Sequence, residues 1–389
     1  MMQLKYQVIS GDSHLELDSK VWIHRVPEKY RDKTPHVVRL PNGGDGWVVE
    51  DEPAREVPFD LYGGMGRDKW TPFGQIYETM AGTGTPQQRL AELEKGKLDA
   101  EVLFPNQVSG PKMWRQIRDD DAYKAVVRGY NDWLAEEYCA VAPDRLIGLG
   151  ILPYTTMGDS IAEMEHCARL GFKGVLLNGF PNGHGYPMPE DDRFWAASLD
   201  MNMPITVHID LDRSGERAGP LFKYATEDKE ALKHTDLVAQ VARFGRAGGT
   251  NAVQMVLSGL FDRFPKLRIL WAENQIGWIP FYMDMADVRY KRHIHWTEKL
   301  LGFKPLKELP SHYLQQNCWW GFQIDPTGVE MRHHMGVDHL VWASDFPHQE
   351  SEWPNDAEMN ERNFAGVPEE ERRKMVRDNI IEFLHLDVD

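Results

Sequence analysis

Short apolar runs alternate along the chain with longer stretches in which apolar residues recur every three or four positions. The first pattern is that of a buried strand and the second that of an amphipathic helix. Runs read as strands lie near Val8, Val102, Leu149, Leu176, Val207, Leu270, Cys318 and Val341. Helical spacing covers residues 85–97, 121–142, 158–170, 191–202, 235–260, 278–290, 326–335 and 368–384. Within the second of these, Tyr123, Val126, Val127, Tyr130 and Leu134 share one face, and Pro143 closes the helix. Strands alternating with helices imply parallel pairing through right-handed crossovers. The eight units predict an α/β fold, a (β/α)8 TIM barrel, spanning residues 1–389 as a single domain. No Gly-x-Gly-x-x-Gly follows a strand, which argues against an open dinucleotide-binding sheet.

Two polar stretches interrupt the alternation. Residues 18–85 follow the first strand and are rich in Pro, Gly, Asp and Arg, with Trp47 and Trp70 among them. A segment of that length in a compact domain is functional or disordered, and its aromatics favour order. It is predicted to be an insertion covering the active-site rim. The polar loop at residues 211–233 is expected to help it close the site and choose the substrate.

Composition narrows the partners. A formal net charge of -16 argues against nucleic acid and anionic membrane surfaces, both of which call for a basic face. An apolar content of 42% is enough for a sizeable core. Cys139, Cys167 and Cys318 are widely spaced and lack a Cys-x-x-Cys pair, so a disulfide frame or sulfur-ligated zinc is not expected. The start of the chain shows no secretory leader, and no apolar run is long enough to span a bilayer. The expectation is a cytoplasmic protein acting on a small molecule.

The chemistry gathers where strands end. In an α/β barrel the C-terminal ends of the strands carry the active site. Here those ends hold Asp12 and His14, Asn106, Asn178, His208, Glu273 and Asp345. In a regular strand, alternate residues share a face, so Val8, Ser10, Asp12 and His14 are expected to point together. Any one of these residues is commonly a helix cap or a satisfied core group. Converging on one rim, two histidines and two carboxylates suit a divalent ion such as zinc, iron or manganese. His333 and His334 are neighbours on a helix and are expected in solvent. Trp319, Trp320 and Trp353 are read as core, and His348 as a residue that orients the rim or touches substrate.

Four blocks carry a family resemblance: Gly11-Asp12-Ser13-His14-Leu15-Glu16, Val207-His208-Ile209, the run from Trp271 to Pro280, and the run from Gly336 to His348. In these the chain resembles the amidohydrolase-related metal-dependent hydrolases, the branch that also contains aminocarboxymuconate-semialdehyde-type decarboxylases. The resemblance implies Asp12, His14, His208 and Asp345 as metal ligands. Two positions depart from the pattern. Asp12 replaces the first imidazole of the usual His-x-His, and Glu273 stands where the decarboxylases carry histidine. These changes are similar to a subgroup that holds two metals, which implies Glu16, Glu273 and His293 at a second ion. A homodimer is expected from the habit of the relatives and the aromatic-rich insertion.

The leading expectation is hydrolysis of an amide, ester or thioester-like bond by a metal-activated water, with Asp345 as proton carrier and Glu273 as second-ion ligand or additional base. Glu273 carries that preference, since an ionised carboxylate does not protonate carbon at neutral pH. Non-oxidative decarboxylation of an aromatic or unsaturated acid is the first alternative, and oxygenation at an iron or iron–manganese pair the second. A barrel that has lost catalysis and serves as a partner subunit is a third.

Overall fold

A computed structural model describes residues 6–56, 60–106, 108–211, 222–226, 235–241 and 247–387. Strand β1 (Ile9–Leu15) is followed by a hairpin of β2 (His36–Arg39) and β3 (Asp45–Val48). The remaining strands are β4 (Ala100–Pro105), β5 (Leu146–Gly148), β6 (Gly150–Ile151), β7 (Val175–Leu176), β8 (Ile205–His208), β9 (Ile269–Ala272), β10 (Cys318–Phe322) and β11 (Leu340–Trp342). Apart from the antiparallel hairpin, all pairings are parallel: β1 with β4, β4 with β5, then β6 through β11 in sequence. Only Leu149 separates β5 from β6, so the ladder passes from one to the other within a single stretch of chain. These are the eight strand positions that the hydrophobic pattern predicts.

The ring closes between β11 and β1. Ser344 N donates to Ser10 Oγ at 2.9 Å, Asp345 N to the Asp12 carbonyl at 2.9 Å, and His14 N to the Phe346 carbonyl at 2.7 Å. Close approach at this seam calls for glycine. A Cβ on Gly11 would sit 2.3 Å from Val341 Cγ1, far inside van der Waals contact. The fold is therefore a (β/α)8 barrel whose first and last strands are stitched together beside the residues of chemical interest.

Two apolar clusters define the inside and the outside of the ring. Ile9, Val102, Phe104, Leu176, Leu270, Ala272, Trp319 and Val341 pack within it. Val207, Ile269, Trp271, Trp320, Phe322 and Trp342 face the surrounding helices. Trp319 and Trp320 are thus core residues on opposite faces of β10. The alternation is broken once in β1, where pairing with β4 shifts register between Ser10 and Ser13. Such a bulge inserts a residue and reverses which side chains face inward. Ile9 belongs to the inner cluster while Leu15 belongs to the outer one, although six regular steps would leave them on the same face. The expected common face of Val8, Ser10, Asp12 and His14 is corrected accordingly: Val8 packs with the outer cluster.

Several elements differ from their predicted bounds. The helical stretch expected to reach residue 260 is broken after Leu257, where Gly259 adopts φ 69°. The helix expected over 326–335 is two short ones, Pro326–Glu330 and Arg332–Met335. The strand expected at residues 314–320 starts only at Cys318, because Leu314 lies in a helix, Pro310–Gln316, opened by proline in its first turn. The helix expected to end near residue 290 runs from Ile279 to Leu301 and stops at Gly302, which adopts φ 65°. The insertion is ordered where described, forming short 3-10 turns and the hairpin. It reaches the rim through Tyr62 N, which donates to the Pro347 carbonyl at 2.7 Å, and through a bridge from Leu61 to His348. Of the loop expected to close the site, residues 212–221 and 227–233 lie outside the described residues. Among the described residues no helix is long and apolar enough to cross a membrane.

The seam generates a prediction. Gly11→Ala forces β1 away from β11 and is expected to lower stability by about 1–3 kcal/mol, the usual scale of overpacking. The readout is the midpoint of urea unfolding, and an unchanged midpoint would mean that the seam has room to spare.

Candidate metal centre

Asp12, His14, His208, Glu273 and Asp345 meet over the C-terminal mouth of the barrel. Each offers one ligand-type atom, and these atoms all lie within 4.8 Å of one another. All five residues are buried. His14 Nε2 is 3.1 Å from Asp345 Oδ1 and 3.4 Å from Asp12 Oδ1. His208 Nε2 is 3.2 Å from Glu273 Oε2, 3.5 Å from Asp12 Oδ2 and 2.9 Å from His14 Nε2.

Local backbone geometry aims these side chains. The bulge in β1 turns Asp12 and His14 inward. β8 ends at His208, and the chain then turns through Ile209 at φ 62°. Glu273 and Asp345 themselves adopt φ 53° and φ 58°. A left-handed backbone at a residue with a Cβ costs about 1–2 kcal/mol. Such strain persists where the surroundings impose it, and it clusters at functional sites. At these three strand ends the strain swings the chain out of the ladder and carries the carboxylates over the mouth.

The donor set fits a divalent cation. Three carboxylates buried this closely repel one another, and burying their charge is costly without a positive partner. His14 Nδ1 lies 3.3 Å from the Pro105 carbonyl, which accepts but cannot donate. That contact keeps the proton on Nδ1 and leaves the Nε2 lone pair facing the carboxylates, as metal-ligating histidines are arranged. Burial also pushes the His14 pKa below its ordinary value, toward the neutral ring. Nitrogen and carboxylate oxygen without sulfur suit manganese, iron or zinc.

A second layer surrounds the five. The Glu16 carboxylate accepts from Asn106 Nδ2, from Tyr77 Oη at 3.3 Å, from Ser109 Oγ at 3.4 Å and from His348 Nε2 at 2.9 Å. Burial pushes its pKa up to about 7. The His348 ring stacks on His14 at 3.8 Å between centroids, and its Nδ1 is 3.6 Å from Asp345 Oδ1. His348 therefore orients the rim, and sequence spacing alone did not join it to Glu16, a residue 332 positions earlier.

Among the described residues, the second ion set expected from Glu16, Glu273 and His293 is not brought together. Glu273 belongs to the first cluster, and Glu16 is turned into its own hydrogen-bond network. His293 is exposed on the helix Ile279–Leu301, its Nδ1 accepting from Trp296 Nε1 at 3.3 Å. Fourteen residues of helix carry it roughly 21 Å along the axis from the helix start. His333 and His334 are exposed, as expected. His184 lines a cavity of about 350 Å³ with Tyr154, Pro181 and Asn182, which touches none of the five cluster residues.

A parallel barrel with histidine and carboxylate side chains gathered at its C-terminal strand ends is the architecture of a barrel enzyme. The amidohydrolase family model matches residues 26–386, and the chain belongs to that family. Among curated proteins it is similar to a γ-resorcylate decarboxylase from a Rhizobium species, 26% identical over 276 residues, which cover 67% of this chain and 76% of the relative. Among solved structures it resembles an amidohydrolase from Mycobacterium avium subsp. paratuberculosis, with TM-score 0.72 and 20% identity over 98% of this chain and 100% of that one. It also resembles a 5-carboxyvanillate decarboxylase from Novosphingobium aromaticivorans with bound manganese and 3-methoxy-4-hydroxy-5-nitrobenzoic acid. That likeness has TM-score 0.66 and 17% identity over 98% of this chain and 97% of that one.

These relatives overturn hydrolysis as the leading expectation, since the curated similarity is to decarboxylases. The physical argument for hydrolysis fails at Glu273. Lying 3.2 Å from His208 Nε2 inside the ligand group, it is placed to hold an ion, so its inability to protonate carbon decides nothing about the reaction.

Two outcomes follow from this geometry. Protein purified without added metal is expected to carry a divalent ion, and His208→Ala to lose it while the far-ultraviolet circular dichroism is retained. Elemental analysis decides, and unchanged metal content in the variant refutes the ligand set. The second outcome concerns the support of Asp345. Ser344 Oγ donates to buried Asp356, whose carboxyl is pushed up to about 6 by burial, with Glu101 and Glu352 acting in the same direction. A folded pKa above the unfolded value of about 3.9 favours the native state only while the group is protonated. That contribution is present below pH ~4 and is lost as pH rises through 6. Asp356→Asn is therefore expected to raise the melting temperature at pH 7.5 and to change it little at pH 4.

Proposed function

We propose that this protein is a metal-dependent, non-oxidative decarboxylase of an aromatic carboxylic acid. The observation that carries the reading is its similarity to γ-resorcylate decarboxylase over 276 residues, together with a buried five-residue cluster suited to a divalent ion. Asp12, His14, His208, Glu273 and Asp345 would hold one ion. Manganese is favoured by the three carboxylates and by the manganese in the 5-carboxyvanillate decarboxylase. When bound, the ion supplies positive charge that attracts and polarises a substrate oxygen.

The reaction adds a proton to the ring carbon that bears the carboxylate. The carbon–carbon bond then breaks, its electron pair returns to the ring, and carbon dioxide leaves. No oxidant or water is consumed. Asp345 carries the proton, its Oδ1 lying 3.6 Å from His348 Nδ1. Glu16 fixes the other side of that imidazole at 2.9 Å, so the ring keeps one orientation toward Asp345. Phe104, on the inner face of β4, packs against both cluster histidines with ring centroids 6.1 and 5.5 Å away, excluding water from beneath them. The insertion covers the rim above, with Tyr77 reaching Glu16.

A single ion per chain would separate this reading from oxygenation at a metal pair, for which Glu16 and His293 would have to join a second site. The test is to incubate the manganese-loaded protein with a panel of benzoic acids bearing hydroxyl or methoxy groups. Equimolar carbon dioxide and decarboxylated arene are expected, without oxygen uptake, and Asp345→Asn is expected to cut the rate by at least about a hundredfold, the scale of losing a general acid. Cleavage of esters or amides with no acid decarboxylated would overturn the proposal.

A further inference from the structure

One strand end remains without a role. β10 ends at Phe322, and Gln323 follows it at the barrel mouth, between the strands that carry Glu273 and Asp345. Along β10, Trp319 packs inside the ring while Trp320 and Phe322 pack outside, so the alternation, extended one residue past the strand, puts Gln323 on the inner face. Its side chain is 3% exposed.

Neighbouring hydrogen bonds settle how the Gln323 amide is turned. Gln323 N donates to Gln275 Oε1 at 3.3 Å, which fixes the oxygen end of Gln275. Gln275 Nε2 then donates to Gln323 Oε1 at 2.9 Å. Gln323 Nε2 is left as the free end, and among the described residues this buried atom has no hydrogen-bond partner. Asn363 Nδ2 holds the Gln323 backbone carbonyl at 3.1 Å, and in the neighbouring loop Glu273 and Gln275 are both in the left-handed region at φ 53° and φ 52°. Asn178 presents the same feature on the inner face beyond β7. Its backbone N–H donates to Tyr154 Oη, and its buried Nδ2 has no partner among the described residues.

An amide donor is seldom buried unpaired in a folded protein, and where one is, a ligand oxygen is a natural partner. We propose that Gln323 is a specificity-determining residue: its Nε2, with Asn178 Nδ2 from the other side of the mouth, donates a hydrogen bond to a ring oxygen substituent of the aromatic acid. Neutral amides are suited to this task. They select an acceptor oxygen without competing with the cation for the substrate carboxylate, and an analogue lacking that oxygen leaves the buried donor unsatisfied. The inference rests on the decarboxylase reading for the class of ligand and adds the residues that choose among its members.

The test is calorimetric binding of 2,6-dihydroxybenzoate and of benzoate to the manganese-loaded full chain, with no turnover needed. The wild type is expected to prefer 2,6-dihydroxybenzoate. Gln323→Met removes the donor without adding charge. Gln323→Glu keeps the acceptor that Gln275 uses and serves even if the methionine variant fails to fold. In both, the ratio of the two dissociation constants is expected to move toward unity by about tenfold, the scale of one hydrogen bond. Metal content and melting temperature, read in parallel, should stay close to wild type in Gln323→Glu. An unchanged ratio overturns the role of Gln323 and leaves the decarboxylase reading standing. Failure of the wild type to bind either acid overturns both.

Discussion

The structure depends on the seam between its first and last strands. Two backbone hydrogen bonds join β1 to the segment leaving β11, and both run directly through cluster residues: Asp345 N to the Asp12 carbonyl and His14 N to the Phe346 carbonyl. The bonds that close the barrel are thus the bonds that set the spacing of its ligands. Gly11 makes the approach possible because no side chain intervenes against Val341. A barrel open at this point would still have eight strands, but its two acidic ends would no longer face the same two imidazoles.

Closing the seam brings together groups that resist it. Asp12, Glu273 and Asp345 are buried carboxylates within a few ångströms of one another, and among the described residues two imidazoles, His14 and His208, lie between them. Burial depresses His14 toward its neutral form, so it does not offset their charge. Left-handed backbone at Glu273 and Asp345 adds conformational cost at the same place. The rest of the barrel, with its two apolar clusters, supplies the stability that holds this arrangement, and a divalent cation would relieve its repulsion. Stability and function are in tension here, as is usual where a site is built for a ligand.

Around the cluster, polar residues do one of two things. Asn106, Tyr77, Ser109 and His348 spend their donors on Glu16 and stiffen the rim. Gln323 and Asn178 each keep one buried amide donor that no described residue uses. The first group makes a fixed wall, and the second leaves buried donors assigned above to a ligand. Arg89, the deeply buried arginine in this part of the molecule, does both: it pairs with Glu101 at 2.7 Å and holds the Phe346 carbonyl at 3.1 Å, while its buried Nη1 has no hydrogen-bond partner among the described residues.

The sequence by itself determined the eight strand positions and the parallel barrel, because burial on both faces of a parallel strand writes a continuous apolar run that needs no partner to be read. It also determined that Asp12, His14, His208, Glu273 and Asp345 stand at strand ends, where such barrels carry chemistry. Only the tertiary structure decided how those residues divide their work. Glu273 joined the first cluster because left-handed backbone turned it inward. Glu16, expected at a second ion, is instead held by four donors from distant segments, and His293 was carried away by a helix that continued to Leu301. The bulge that turns Asp12 and His14 inward is a register shift against β4, invisible in either strand alone. Gln323 was missed because the strand before it was placed too early, at Leu314. Its unpaired donor is a property of packing, which has no signature in a linear pattern. Periodicity records which residues avoid water, whereas the pairing of polar groups across hundreds of positions is settled only when the chain has closed on itself.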